Sequence, residues 1–238
     1  MTTAALKHLK IDFVSDIVCP WCAIGLASLE TALQRVQGEV QVELHVQPFQ
    51  LNPDMAPEGE DIVEHLSRKY GMPEAQVRAN QAAIRQRGAE VGFVFSAEGR
   101  SRTWNTFDAH RLLHWAGLQG REMPLKHALL GAYFTEGLNV SDHAVLLAKA
   151  VSVGLDEAGA RAVLASDAST LVAAQYAVLG SATASGIESL AGGVVGGFGG
   201  YSGIAMWPSN AGNQFALSGS TPRARWSRHA SWACSSCR

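Results

Sequence analysis

Charge of one sign is what this 238-residue chain most obviously lacks: 19 lysines and arginines stand against 21 acidic residues, for a net charge of -2. So even a balance leaves no electrostatic footprint for a phosphate backbone, and nucleic acid is excluded as an expected partner. Long apolar runs are missing too. The most apolar stretch, Ala191 to Trp207, is interrupted by seven glycines, whereas a membrane-spanning helix needs roughly 18 or more consecutive apolar residues. No membrane association is therefore expected. The first twelve residues contain Lys7 and Lys10 but no apolar core of the kind a secretory leader carries, so a cytoplasmic location is expected. Cysteine is sparse, with four residues in all, far too few for a disulfide scaffold. What is present is an ordinary globular mixture, 47% hydrophobic and 17% charged, which excludes wholesale disorder. At roughly 100 to 200 residues per domain, the length suits one large domain or a domain that carries an insertion.

Lys10 to Val18 is rich in β-branched and aromatic residues and predicts a strand that runs straight into Cys19-Pro20-Trp21-Cys22. After it, Leu26, Leu29, Leu33 and Val36 recur near the helical period and predict a helix over 23–36, with Gly38 where it would stop. Val40, Val42, Leu44 and Val46 then alternate with polar residues, as in a half-exposed strand. Strand, helix and strand in so few residues make a βαβ unit with parallel pairing. From Asp54 onward the pattern turns helical, with segments expected at 61–70, 73–91, 104–116, 124–136, 141–153 and 156–164. Ser141 and Asp156 are N-cap residue types, and Pro73 and Pro124 suit a first turn. The fold class expected is α/β, in three parts: 8–53 the βαβ unit, 54–165 an inserted all-helical domain, and 166–238 an atypical, incompletely folded C-terminal part.

The chemistry sits in the Cys-x-x-Cys pair. At a helix N-terminus, unpaired backbone N–H groups and the helix dipole stabilise negative charge, so Cys19 is expected to ionise easily and attack disulfides. Cys22, one turn on, is placed to close an intramolecular disulfide with it. Pro20 stiffens the loop, and Trp21 offers a substrate an apolar surface. A zinc site completed by Cys234 and Cys237 is the alternative. A strand before the pair and an amphipathic helix after it favour redox chemistry over a zinc knuckle.

The stretches VSDIVCPWCAIGLASLE (14–30), PFQLNP (48–53), NTFDAHRLLHWA (105–116) and AYFTEGLNVSDHAVLLAKAVSVGLDEAGARAVLASD (132–167) closely resemble the FrnE-type branch of the DsbA-like thioredoxin-fold oxidoreductases. The resemblance covers about residues 10–170. It implies a thioredoxin-like fold interrupted by a helical domain, with Cys19 attacking and Cys22 resolving. It also implies a cytoplasmic thiol-disulfide oxidoreductase or disulfide isomerase acting on protein or small-molecule thiols and disulfides without a cofactor. Kappa-class glutathione transferases and hydroxychromene-carboxylate isomerases resemble the same arrangement, which makes a glutathione-dependent isomerase or transferase a second reading. Those relatives typically carry serine at the position of Cys19. A zinc-binding or chaperone-like module is a third.

The family pattern departs in the last third, where Glu188 is the only acid after residue 170, lysine is absent, and eleven of the 24 glycines fall. Natural divergence and an altered reading frame both fit this composition. Pro208 is the one candidate for the family's cis-proline facing the cysteine pair, although Ser209 to Gly212 make a poor strand. Gly192 to Gly203 reads as a flexible connector and Phe215 to Leu217 as a short strand. An incompletely covered sheet invites a homodimer. Asn105 and Phe107 are candidates to bind substrate or shape its groove, with packing or capping as the plainer role. His110 and His114, four apart with Asp108 nearby, have metal-binding spacing but no third ligand at a fixed interval. A partly exposed helix flank is expected there, and no metal is assigned. Cys234 and Cys237, with His229, read as an incidental pair, a redox relay or a zinc site.

Overall fold

The computed structural model describes residues 7–96, 100–166, 202–209 and 212–217. Strand β1 (Lys7–Ser15) leads into helix α1 (Pro20–Arg35), which returns the chain to β2 (Val40–Pro48). β1 and β2 pair in parallel, with Ile11 beside Leu44 and Phe13 beside Val46, so the βαβ unit forms as its periodicity requires. A two-stranded ribbon, β3 (Glu60–Asp61) and β4 (Arg102–Thr103), brackets helices α2 (Ile62–Tyr70) and α3 (Glu74–Glu90). Four more helices follow: α4 (Phe107–Leu118), α5 (Glu122–Phe134), α6 (His143–Ser152) and α7 (Glu157–Ala165).

The helix starts have local causes. Asp61 caps α2 by accepting from Val63 N and Glu64 N at 2.8 and 3.0 Å, and Asp156 caps α7 by accepting from Gly159 N at 2.7 Å. Asp142, rather than the expected Ser141, caps α6, accepting from Ala144 N at 2.8 Å. Ser141 is occupied instead with Asn139 Oδ1, which accepts from its N–H and its hydroxyl at 2.9 and 2.7 Å.

β5 (Ser202–Ser209) and β6 (Gly212–Leu217) complete a four-stranded sheet of order β2-β1-β5-β6. β5 runs parallel to β1, from Ile11 beside Ser202 to Val14 beside Ala205, and β6 runs antiparallel to β5. β6 contains the short strand expected at Phe215 to Leu217. β5 takes in Ser202 and Gly203, at the end of the expected connector. Pro208 lies within β5 opposite Asn213, beyond the last residue paired with β1. There its missing N–H removes no bond from the β1 ladder. The expected incidental pair at Cys234 and Cys237, with His229, lies outside the described residues, as does the stretch 223–238.

One apolar core runs through both the βαβ unit and the helices. Ile11, Phe13 and Val46 of the sheet join Leu26 and Leu29 of α1, and that same cluster continues through Leu112, Leu125, Leu129, Tyr133 and Phe134 of α4 and α5. The sheet and the helices are thus anchored in common. The approach to α4 is fixed by Gly59, whose φ of +61° suits glycine. A Cβ there would fall 2.3 Å from the Thr103 carbonyl and 2.5 Å from the Trp104 ring. That close approach seats the 103–106 segment, which delivers Thr106 and α4 to the cysteine pair.

Candidate active site

Cys19 is the N-cap of α1, with extended backbone (φ −89°, ψ 113°), and Pro20 occupies the first helical position, where its missing N–H costs nothing. The Cys19 carbonyl accepts from Cys22 N and Ala23 N at 3.1 and 3.3 Å, which places Cys22 directly above it on the first turn. The expected helix start at residue 23 is thereby moved back three residues, and both cysteines belong to its N-terminal turn. Both are free thiols, 2% and 4% exposed, with Pro20 buried between them and Trp21 partly exposed.

Their protonation is divided sharply. The Cys22 thiol donates a hydrogen bond to the Cys19 sulfur, and with backbone N–H bonds from Cys22 and Trp21 this holds the Cys19 thiol below its ordinary range, against burial and the Asp16 charge. The same bond, together with burial and the Cys19 charge, pushes Cys22 well above its ordinary range. The two shifts run in opposite directions, favouring the thiolate form at Cys19 and the thiol form at Cys22.

Beneath the pair lies a buried polar group that the sequence pattern did not single out. Asp16, on the turn between β1 and α1, is 1% exposed. Its Oδ2 accepts from Leu51 N at 2.7 Å, and its Oδ1 lies 3.3 Å from His110 Nε2 and 3.5 Å from Val18 N. Burial pushes its carboxyl up, but the bond and charge of His110, with bonds from Leu51 and the Thr106 side chain, outweigh that and hold it below the ordinary aspartate range. His110 is therefore not on a partly exposed flank as expected. It is 1% exposed and turned inward to Asp16, because Ala109, Leu112 and Leu113 around it are core residues. Lys126 on α5 is fully buried, and burial lowers its amine below the ordinary lysine range despite the opposing charges of Cys22, Asp16, Cys19 and Glu122. The fixed signal for Asp16 was its place three residues before Cys19. For Lys126 and His110, on helices far along the chain, no local signal existed.

Asn105 and Phe107 lie where the helical module begins. Asn105 Oδ1 accepts from Phe107 N at 2.8 Å, and its Nδ2 donates to the Met55 carbonyl at 2.8 Å, which gives it a capping role at the start of α4. Its contact with Gln50 Nε2 at 3.4 Å ties that start to the loop after β2. The Phe107 ring lies 5.9 Å from the Arg111 guanidinium, which itself bonds Asp108 at 2.6 Å and the Val163 carbonyl at 2.7 Å. Asp108 also lies 2.7 Å from His143 Nε2. Among the described residues no three His, Cys, Asp or Glu side chains converge as a metal site, and no helix is long and apolar enough to cross a membrane.

Residues 10–183 match the DSBA-like thioredoxin domain. The chain is 35% identical to a probable DsbA oxidoreductase of known structure from Streptomyces coelicolor, superposing with a TM-score of 0.63 over 67% of this chain and 68% of that one. It is 29% identical to the uncharacterized protein YwbO of Bacillus subtilis (strain 168), over 66% of this chain and 71% of YwbO. The cytosolic disulfide reductase DsbM of Pseudomonas aeruginosa shares the fold, with a TM-score of 0.54 at 19% identity over 87% and 89% of the two chains. With the matched domain spanning the βαβ unit, its cysteine pair and the seven helices of the described residues, this chain belongs to the DSBA-like thioredoxin domain family of thiol-disulfide oxidoreductases.

Proposed function

We propose that the chain exchanges disulfides through Cys19 and Cys22 by way of a mixed disulfide with its substrate. The observation that carries the proposal is the paired bias of the two sulfurs: Cys19 at the helix N-cap with its thiol held low, Cys22 one turn on with its thiol held high. A thiolate, not a thiol, is the nucleophile in this chemistry. The Cys19 thiolate attacks one sulfur of a substrate disulfide, forming the Cys19–substrate bond, and the other substrate sulfur leaves as a thiolate that takes a proton from water. Cys22 then loses its proton and attacks the Cys19 sulfur. The Cys19–Cys22 bond forms, the Cys19–substrate bond breaks, and the second substrate thiol departs. Two electrons pass from the pair to the substrate, and the reverse sequence oxidises a dithiol. Trp21, the partly exposed residue of the motif, is the surface assigned to the substrate chain, with Pro20 stiffening the turn. Asn105 and Phe107 shape the neighbouring groove by fixing where α4 begins.

The test is to expose wild-type, Cys22→Ser and Cys19→Ser proteins to glutathione disulfide and map the adducts by peptide mass. Cys22→Ser should accumulate a mixed disulfide at Cys19, wild type should pass to an intramolecular Cys19–Cys22 disulfide, and Cys19→Ser should form neither. A wild-type protein that never closes that disulfide across a series of glutathione buffers overturns the proposal.

A further inference from the structure

Resting on the function just proposed, a second question concerns where the Cys22 proton goes when Cys22 must act. Two buried groups compete for it. Asp16 is bonded at both oxygens, to Leu51 N, His110 Nε2, the long contact from Val18 N, and Thr106. A carboxylate so fully engaged must break bonds to take a proton, and its surroundings favour the ionised form. Lys126 is the opposite case. Its side chain is fully buried, and its Nζ has no hydrogen-bond partner among the described residues. An unpartnered ammonium in such a place is costly, and an unpartnered neutral amine costs much less.

The charged groups around Lys126 define the site. The negative charge that would most favour the Lys126 ammonium is that of Cys22 of α1 once ionised, followed by Asp16 from the β1–α1 turn, Cys19 of α1, and Glu122 one turn back on α5 itself. Glu122 is anchored by Val46 N of β2 at 3.0 Å and interacts with the charges of His45 on β2 and His114 on α4. His110 of α4 faces Asp16.

We infer that Lys126, brought from the inserted helices, is the proton acceptor for Cys22 when the mixed disulfide is resolved. On this assignment Lys126 starts as an amine and Cys22 as a thiol, the forms that their burial favours. The Cys22 proton passes to Nζ, giving an ammonium and a thiolate that stabilise each other in the low-dielectric site. The thiolate attacks the Cys19 sulfur, the Cys19–Cys22 bond forms, and the substrate sulfur leaves as a thiolate. Once Cys22 is neutral in the disulfide, the isolated ammonium is disfavoured again and returns its proton to the departing thiolate or to water. No further oxidant or reductant is needed, because the substrate disulfide receives both electrons.

The experiment uses full-length chain with Cys234 and Cys237 changed to serine, mixed with excess 5,5′-dithiobis(2-nitrobenzoate). Cys19 attack releases a first thionitrobenzoate and Cys22 resolution a second, so one absorbance trace separates the two steps. Lys126→Met should leave the first release within about twofold of the parent and slow the second at least roughly tenfold at neutral pH, at or below the usual range for a lost general base. Its pH profile should also shift upward, and Lys126→Arg, which cannot yield a free amine, should show the same slow second release. A second release of parental rate and pH profile in Lys126→Met overturns the inference while leaving the oxidoreductase intact. A parent that never gives the first release overturns both. Should Lys126→Met fail to fold, 13Cε-labelled lysine in parent protein alkylated at Cys19 decides. Among five lysines, the Lys126 resonance should titrate at lower pH than the other four and move when Cys22 is also changed to serine. Titration with the other four, indifferent to Cys22, sinks the inference.

Discussion

Removing the Cys22 thiol tests the division of protonation at its source. The hydrogen bond from Cys22 is the largest influence holding Cys19 below its ordinary range, ahead of the backbone N–H groups. A hydrogen bond to a charged acceptor contributes about 1.5 to 3 kcal/mol. Each 1.36 kcal/mol is a factor of ten in a protonation equilibrium, so Cys22→Ala should lower the Cys19 thiolate-to-thiol ratio roughly ten- to a hundredfold at any given pH. Burial works in the same direction, because Cys19 is 2% exposed and gains little solvent to replace the lost donor. Cys22→Ser keeps a donor of shorter reach and should retain most of the ratio. The assay is the rate of iodoacetamide modification of reduced protein across pH, with Cys19 identified by peptide mass. Cys22→Ala and Cys22→Ser displaced by equal amounts would show that the hydrogen bond is not the cause. An unmoved Cys22→Ala would refute the reasoning altogether.

His110→Ala strips a buried carboxylate of one of its partners, and loss of a partner from a buried pair costs about 3 to 5 kcal/mol; urea unfolding should show that loss, shrinking at acid pH. The sign follows from Asp16: its folded carboxyl is held below its unfolded value, so the stability it contributes is present above the ordinary aspartate range and lost as pH falls towards the folded value. Lys126→Met should stabilise the protein by about 1 to 3 kcal/mol at neutral pH. The parent's folded amine lies below its unfolded value, so the unfolded chain binds more protons and parental stability rises with pH between the two; thermal melts from pH 7 to 10 should show that rise in the parent and its absence in the variant. Gly59→Ala should lose about 1 to 3 kcal/mol, since the new Cβ meets a left-handed backbone and the Thr103 carbonyl together; an unchanged urea midpoint would show that the 103–106 segment yields freely.

Much of this was legible where the signal is local. The strand running into Cys19, the leucine spacing of α1 and the alternation of β2 each encode one element, and Asp61, Gly71 and Asp156 mark helix ends through their own side chains or φ. The β3–β4 ribbon went unread because two residues per strand carry no period. The polar floor of the site has a local sequence signal only in its nearest member, which the pattern alone did not single out. Asp16 adjoins the motif, but His110 and Lys126 reach it only through the packing of α4 and α5 on the shared core, where a histidine beside Leu112 reads as a surface flank until its neighbours are known. Pro208 shows the converse: a proline sought by motif was found in a strand, at a position where its missing N–H leaves the β1 pairing whole.

The single core shared by sheet and helices has a consequence for engineering. A CPWC turn moved to a bare βαβ scaffold would carry its two sulfurs but leave behind Thr106, His110 and Lys126, which α4 and α5 bring to the site through that shared core. Such a transplant would inherit the nucleophile without the surroundings that set when each sulfur fires. On the proposed function, the unit to move is thus the sheet and the helices as one piece.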